Sequence, residues 1–309
     1  MNIDPKDEIN NLIKNYNLKN FKEALKNANN LTNFKINNKE ISLICGELFL
    51  HYKLYKKALF SFAYSIKLDP NFFLAYKYLA VGEYSIGNFQ KSLKILEKAK
   101  SINDNDTDLY FNIARCYDDL GQYELSIENY VKSLDIDPNN NNSKINLIKS
   151  LTFHKPTTKV KNQIVDIDLE LYKLKSPLKK ESILDDNDIK SFLTKSFSIL
   201  KNYNLNLDYE YTQIFRNNVE LTDCPRYHAA FNSYNIIPKN CFSCFKVQIN
   251  VLNVSDLIKL HFLFNDLESV KNIKKCMVEK RNDIEGNYKG FIYCTSTAEA
   301  ESLKNKLAI

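Results

Sequence analysis

The chain has 309 residues, 44% hydrophobic and 26% charged, with a formal net charge of +6, the proportions of an ordinary globular protein with room for two domains. The positive surplus is spread thinly: residues 157–309 hold 22 Lys and Arg against 19 Asp and Glu, which argues against a nucleic-acid partner because no basic block able to track phosphates stands out. No apolar run reaches the roughly 18 residues of a membrane span, and the acidic, polar start does not read as a secretory leader, so a cytoplasmic protein with no membrane partner is expected.

Taken in order, residues 1–38 offer a first helix around Glu8 to Tyr16, then Phe21, Ala24 and Ala28 on the face of a second. The stretch 39–140 explains them, because it divides into three consecutive blocks of 34 residues. Pro70, Asp104 and Pro138 stand one period apart at block ends, and Gly46, Ala80 and Ala114 do so inside the blocks. Phe62, Leu96 and Tyr130 keep the same interval, as do Gly87 with Gly121 and Phe89 with Tyr123. Small residues in the first helix of each block allow the second to cross closely. Gly121 ends a first helix, and Leu-Asp-Pro at 68–70 and Ile-Asp-Pro at 136–138 stop the second ones.

These positions resemble the tetratricopeptide repeat, whose helix pairs stack into a solenoid. The resemblance implies three repeats over 39–140, a degenerate leading repeat or cap over 1–38, and a capping helix over 141–155 built on Ile145, Leu147, Ile148, Leu151 and Phe153. It also implies that exposed positions of the first helices hold an extended protein or peptide segment. Those positions are Leu43, Glu47 and Leu50, then Lys77, Val81 and Tyr84, then Phe111, Arg115 and Asp118. Lys77, Tyr84, Phe111 and Arg115 are the partner-binding candidates, against the alternative that they are solvated or self-packed helix residues. The family's carboxylate clamp uses Lys and Asn where this chain has Leu43 and Glu47, so that specificity is not expected.

Residues 156–182 read as a linker, with Ile164 to Leu174 as a strand or short helix. Asp185, Asp186 and Asp188 offer caps for a helix running to about Tyr203, and a further short helix is expected around Tyr209 to Arg216. Cys224-Pro-Arg-Tyr-His228 is followed after twelve residues by Cys241-Phe-Ser-Cys244. This C-x3-H-x12-C-x2-C spacing suits a tetrahedral zinc, because two cysteines three apart can grip one ion from a turn while Cys224 and His228 stand one helical turn apart. Iron or an iron–sulfur cluster also fits three cysteines and a histidine. A thiol-redox pair at Cys241 and Cys244 and inert packing are the remaining alternatives.

Phe245 to Leu252 alternates as a strand. A helix capped by Ser255 follows, carrying Leu257, Leu260, His261 and Phe264. Strands over Lys274–Lys280 and Tyr288–Thr295 and a final helix capped at Ser296 and Thr297 complete 183–309. This order resembles part of a ferredoxin-like α+β layer with helices on one face. Cys276 and Cys294 fall on the two strands as ligands, reactive thiols or core, with core favoured.

The fold class is therefore α+β: an N-terminal all-α solenoid followed by a small C-terminal α+β domain with a Cys/His cluster. With six glycines, no phosphate loop, no Gly-x-Ser-x-Gly and no His-Glu-x-x-His, no catalytic residue is assigned. The expected function is a protein-interaction adaptor with a metal-stabilised C-terminal domain. The alternative is an enzyme or thiol-redox protein whose C-terminal cysteines react while the repeats recruit substrate.

Overall fold

The computed structural model describes residues 4–32, 34, 36–157, 160–175, 184–203, 213–216, 245–266, 272–279 and 285–307, in two compact units, Met1–Leu147 and Ile148–Ile309. Among the described residues no helix is long and apolar enough to cross a membrane.

The first unit is a stack of helix pairs: α1 (Pro5–Asn17) with α2 (Phe21–Leu31), α3 (Lys39–His51) with α4 (Tyr55–Leu68), α5 (Phe73–Ser85) with α6 (Phe89–Ile102), and α7 (Thr107–Asp119) with α8 (Tyr123–Ile136). α9 (Asn141–Phe153) starts one further period on. First helices start at 5, 39, 73, 107 and 141, and second helices at 21, 55, 89 and 123, so the leading segment is a helix pair in full register.

Within each pair, one position of the first helix meets one position of the second. Gly46 lies so close to Phe62 that an added Cβ would stand 2.3 Å from the ring. Ala80 with Leu96 and Ala114 with Tyr130 occupy the equivalent positions one and two periods on, all fully buried. In the leading pair the sizes are exchanged, with Leu12 on the first helix and Ala28 on the second, both also fully buried. The crossing accepts one large and one small side chain from either direction, as close packing at near-constant volume requires.

Polar groups at the helix ends repeat with the same period. Oδ1 of Asn38, Asp106 and Asn140 accepts a backbone N–H from three residues on, at 2.9, 2.7 and 2.9 Å, which satisfies a donor the helix leaves open. At the block ends Asp69, Asn103 and Asp137 each accept from the N–H two residues on, at 3.0, 3.0 and 2.9 Å, an Asx turn. Between paired helices, Lys19, Lys53, Gly87 and Gly121 occupy one turn position with φ of 58°, 58°, 84° and 71°. The next residue's N–H then reaches back to Asn15, Phe49, Glu83 and Tyr117 carbonyls at 2.7–2.9 Å, closing the end of each first helix.

In the second unit α10 (Gln163–Lys175) packs on α11 (Asp186–Asn202), so the stretch read as a linker contains a helix, which is also the outcome at Ile164 to Leu174. α11 starts at a reciprocal cap between Asp185 and Asp188. β1 (Gln213–Arg216), β2 (Phe245–Val251), β3 (Lys274–Val278) and β4 (Tyr288–Cys294) form one antiparallel sheet in the order β1-β3-β4-β2. α12 (Val254–Asp266) and α13 (Thr297–Leu307) both cover the same sheet face, where Leu257, Leu260, Phe264, Cys276, Ile292, Cys294 and Leu303 form the core.

Two expectations are corrected here. Residues 213–216, expected to be helical, are strand β1, because Ile214 and Phe215 sit in register with Cys276 and Lys275; residues 209–212 lie outside the described residues. α12 is capped by Asn253, whose Oδ1 accepts from Asp256 N–H at 2.9 Å, while Ser255 donates to Asp186. Ser296 caps α13 as expected, accepting from Glu299 N–H at 3.1 Å.

The turn lysines generate a prediction. A left-handed non-glycine residue costs about 1–2 kcal/mol, and glycine gives back part of that through its freer unfolded state. Lys53→Gly is expected to raise the stability of the repeat unit by about 1 kcal/mol. The urea midpoint should move up at unchanged slope.

Candidate functional site

The first helices lie side by side, α3 against α5 and α5 against α7, and their shared surface is a row of tyrosines set against charged groups. Tyr16 of α1 donates to the Glu47 carboxylate of α3. Tyr78 of α5 lies by the same carboxylate, and burial, reinforced by that charge, pushes its phenol up to about 12. Further along, Tyr84 of α5 donates to Asp119 of α7. Burial holds the Tyr84 phenol well above its ordinary value, with Arg115 opposing. These phenols stay protonated and bond as donors.

The Arg115 guanidinium lies 4.1 Å from the Tyr84 ring centroid and 5.5 Å from that of Phe111, a cation held against two aromatic faces. Tyr84, Phe111 and Arg115 are thus brought together in one half-buried cluster. Lys77 stands apart, two turns nearer the start of α5. Its ammonium pairs with Asp106 at 3.0 Å and Asp108 at 3.3 Å, with 13% of its side chain exposed. It therefore ties α5 to the start of α7.

Two other first-helix positions have structural work. Leu43 is buried in the core. Asp118 accepts from Tyr130 at 2.8 Å and from Ser126, which joins α7 to α8. Tyr16 and Tyr78 were missed by sequence reasoning, although Tyr16 and Tyr84 stand two periods apart, a spacing that the repeat itself exposes.

Cys224, His228, Cys241 and Cys244 lie outside the described residues. The segment that carries them is joined at its two ends to β1 and β2, the outer strands of the sheet. Among the described residues no group of three His, Cys, Asp or Glu is placed to hold a metal. Cys276 and Cys294 are buried in the core beneath α12 and α13. Cys45 and Cys116 are buried as well, and burial pushes their thiols up to about 12 and about 11, so neither is a nucleophile near neutral pH. The half-buried His261 ring lies 6.0 Å from that of Phe262. Near the β3–β4 hairpin Lys289 is buried beside Glu279 at 4.0 Å.

Residues 107–140, which are α7, α8 and the turn after them, match the family model of the tetratricopeptide repeat. No curated protein matches the chain. Among solved structures, MamA 41-end from Desulfovibrio magneticus RS-1 is similar at 19% identity and a TM-score of 0.44, covering 64% of this chain and 96% of that one. A further crystal structure of MamA protein aligns at 20% identity with a TM-score of 0.44, covering 66% and 98%. The Arabidopsis OM64 TPR domain aligns at 20% identity with a TM-score of 0.36, covering 36% of this chain and 93% of that domain.

Proposed function

We propose that the chain is a protein-interaction adaptor, its repeat unit holding an extended partner segment along the first helices while a bound metal ion braces the C-terminal domain. The observation that carries this reading is the Arg115 cluster. A guanidinium flanked by Tyr84 and Phe111 presents donors and aromatic edges together, the combination enriched where protein surfaces meet. Lys77 extends the same surface toward the start of α5; a partner carboxylate there would exchange with Asp108, whose side chain is 64% exposed.

The metal is proposed as zinc, with Cys224, His228, Cys241 and Cys244 as its ligands. The ligand types and spacing support it, and so does the tethering of their segment to two outer strands of one sheet, where a cross-link would close a long connection. The zinc would act structurally, and none of the four is assigned a reaction. The described thiols are buried, which leaves the alternative redox reading to Cys224, Cys241 and Cys244 alone.

Two outcomes test this reading. Phe111→Ala combined with Arg115→Ala is expected to weaken capture of wild-type partners by about tenfold or more at a temperature where circular dichroism shows the variant still folded. Undiminished capture contradicts the groove. For the metal, protein purified without a histidine tag should contain one zinc per chain. Native thiol titration should be nearly silent at pH 8 and should release up to three thiols when a chelator removes the ion. Three fast thiols in metal-free native protein, without loss of folding, would instead favour the redox reading.

A further inference from the structure

We propose that the outer face of the second helices α2, α4 and α6 docks on a membrane surface rich in anionic lipid, a contact separate from the partner segment held along the first helices. The charge of the repeat unit is divided between its two walls. α2, α4 and α6 carry nine lysines against two carboxylates, with no arginine, whereas the first helices of the same pairs carry four lysines against five carboxylates. Both carboxylates of the basic wall are already engaged, Glu23 by Lys26 at 2.7 Å and Glu97 by Lys100 at 3.9 Å. α8, with Glu124, Glu128 and Asp135 against Lys132, ends the patch.

The helical frame sets which way these side chains point. The fourth and eighth places of each second helix are buried, as Ala24 with Ala28, Ala58 with Phe62 and Ser92 with Leu96. The second, sixth and tenth places lie on the opposite side of the helix. Among their occupants are Lys22 on α2, Lys56, Phe60 and Tyr64 on α4, and Lys94 and Lys98 on α6, and all four lysines are exposed. α4 is joined to α2 by Lys57, which donates to Asn29 at 2.6 Å, and α6 follows α4 by the same repeat step. The lysines of the flanking helices therefore border the aromatic pair of the middle one.

Phe60 is 73% exposed, and its ring stacks on that of Tyr64 at 6.5 Å and 9°. An aromatic pair set this far into water, framed by cations on long apolar stems, fits an interface that is anionic outside and apolar within. Phe60 enters the acyl boundary while the lysines meet the headgroups. These places form the crest of each helix, so they meet a broad surface more readily than they enclose a chain. Lysine, a point charge on a flexible stem, suits a mobile layer of headgroups, whereas a fixed carboxylate or phosphate fork favours arginine. Attachment of this kind needs no spanning helix.

The test is co-sedimentation of the full chain with phosphatidylcholine vesicles containing about 30% phosphatidylserine or none. Binding to the anionic vesicles alone, weakening as salt rises, is expected. Lys56→Glu combined with Lys94→Glu should lower the partition coefficient by at least about tenfold, and Phe60→Ala by about fivefold. Because the chain has no tryptophan, Phe60→Trp places a single reporter at the crest, whose emission should shift to the blue on vesicle binding and be quenched by brominated lipid. That variant keeps every lysine, so it decides the matter even where the charge reversals disturb folding. Absence of binding to anionic vesicles overturns the proposal, and so does binding that leaves the introduced tryptophan unshifted. Binding of polyglutamate or oligo(U) by a chain that ignores the vesicles also overturns it, and assigns the face to an acidic protein or to RNA.

Discussion

The repeat unit depends on one steric constraint: where the two helices of a pair cross, the combined bulk of two facing side chains must stay nearly constant. Gly46 against Phe62 shows it directly, and Leu12 with Ala28, Ala80 with Leu96 and Ala114 with Tyr130 hold the equivalent buried positions with a matching split of large and small. Burying one large side chain at each crossing stabilises by roughly 2–3 kcal/mol, and it does so only if its partner is small. The 34-residue spacing of every cap and turn follows, because a pair crossing at a fixed distance must enter and leave its turns at fixed places.

That constraint also places the candidate surface. With each pair closed on itself, the first helices of successive pairs come side by side, and their exposed rows meet across helices. Tyrosine fills these rows well, since its ring packs while its hydroxyl reaches a carboxylate on the next helix. Tyr16 to Glu47 and Tyr84 to Asp119 are such links. The Arg115 cluster joins the same row, so the groups suited to a partner also hold neighbouring pairs in register.

How much of the molecule is legible in its sequence follows from how local each determinant is. The helix pairs were legible because caps, small residues and helix stops lie within one block and recur. The left-handed turns at Lys19 and Lys53 were not, since lysine carries no signal for that conformation, and only the frame shared with Gly87 and Gly121 marks them. β1 was misread because Tyr211 and Phe215 stand at a helical interval, whereas its strand state comes from pairing with β3 far along the chain. Tyr84, Phe111 and Arg115 were found as frame positions, but the contact of Asp118 with Tyr130 was hidden, since it depends on how the chain turns back.

A double-mutant cycle at the first tight crossing tests the central claim most directly. All three atoms nearest an added Gly46 Cβ belong to the Phe62 ring, so the two positions can be exchanged to imitate Leu12 and Ala28. Measured by urea unfolding, Gly46→Leu alone and Phe62→Ala alone should each destabilise by about 2–4 kcal/mol. The double variant should recover most of the summed loss. If the two effects simply add to within about 0.5 kcal/mol, the crossing does not conserve bulk and the account of the repeat unit is wrong.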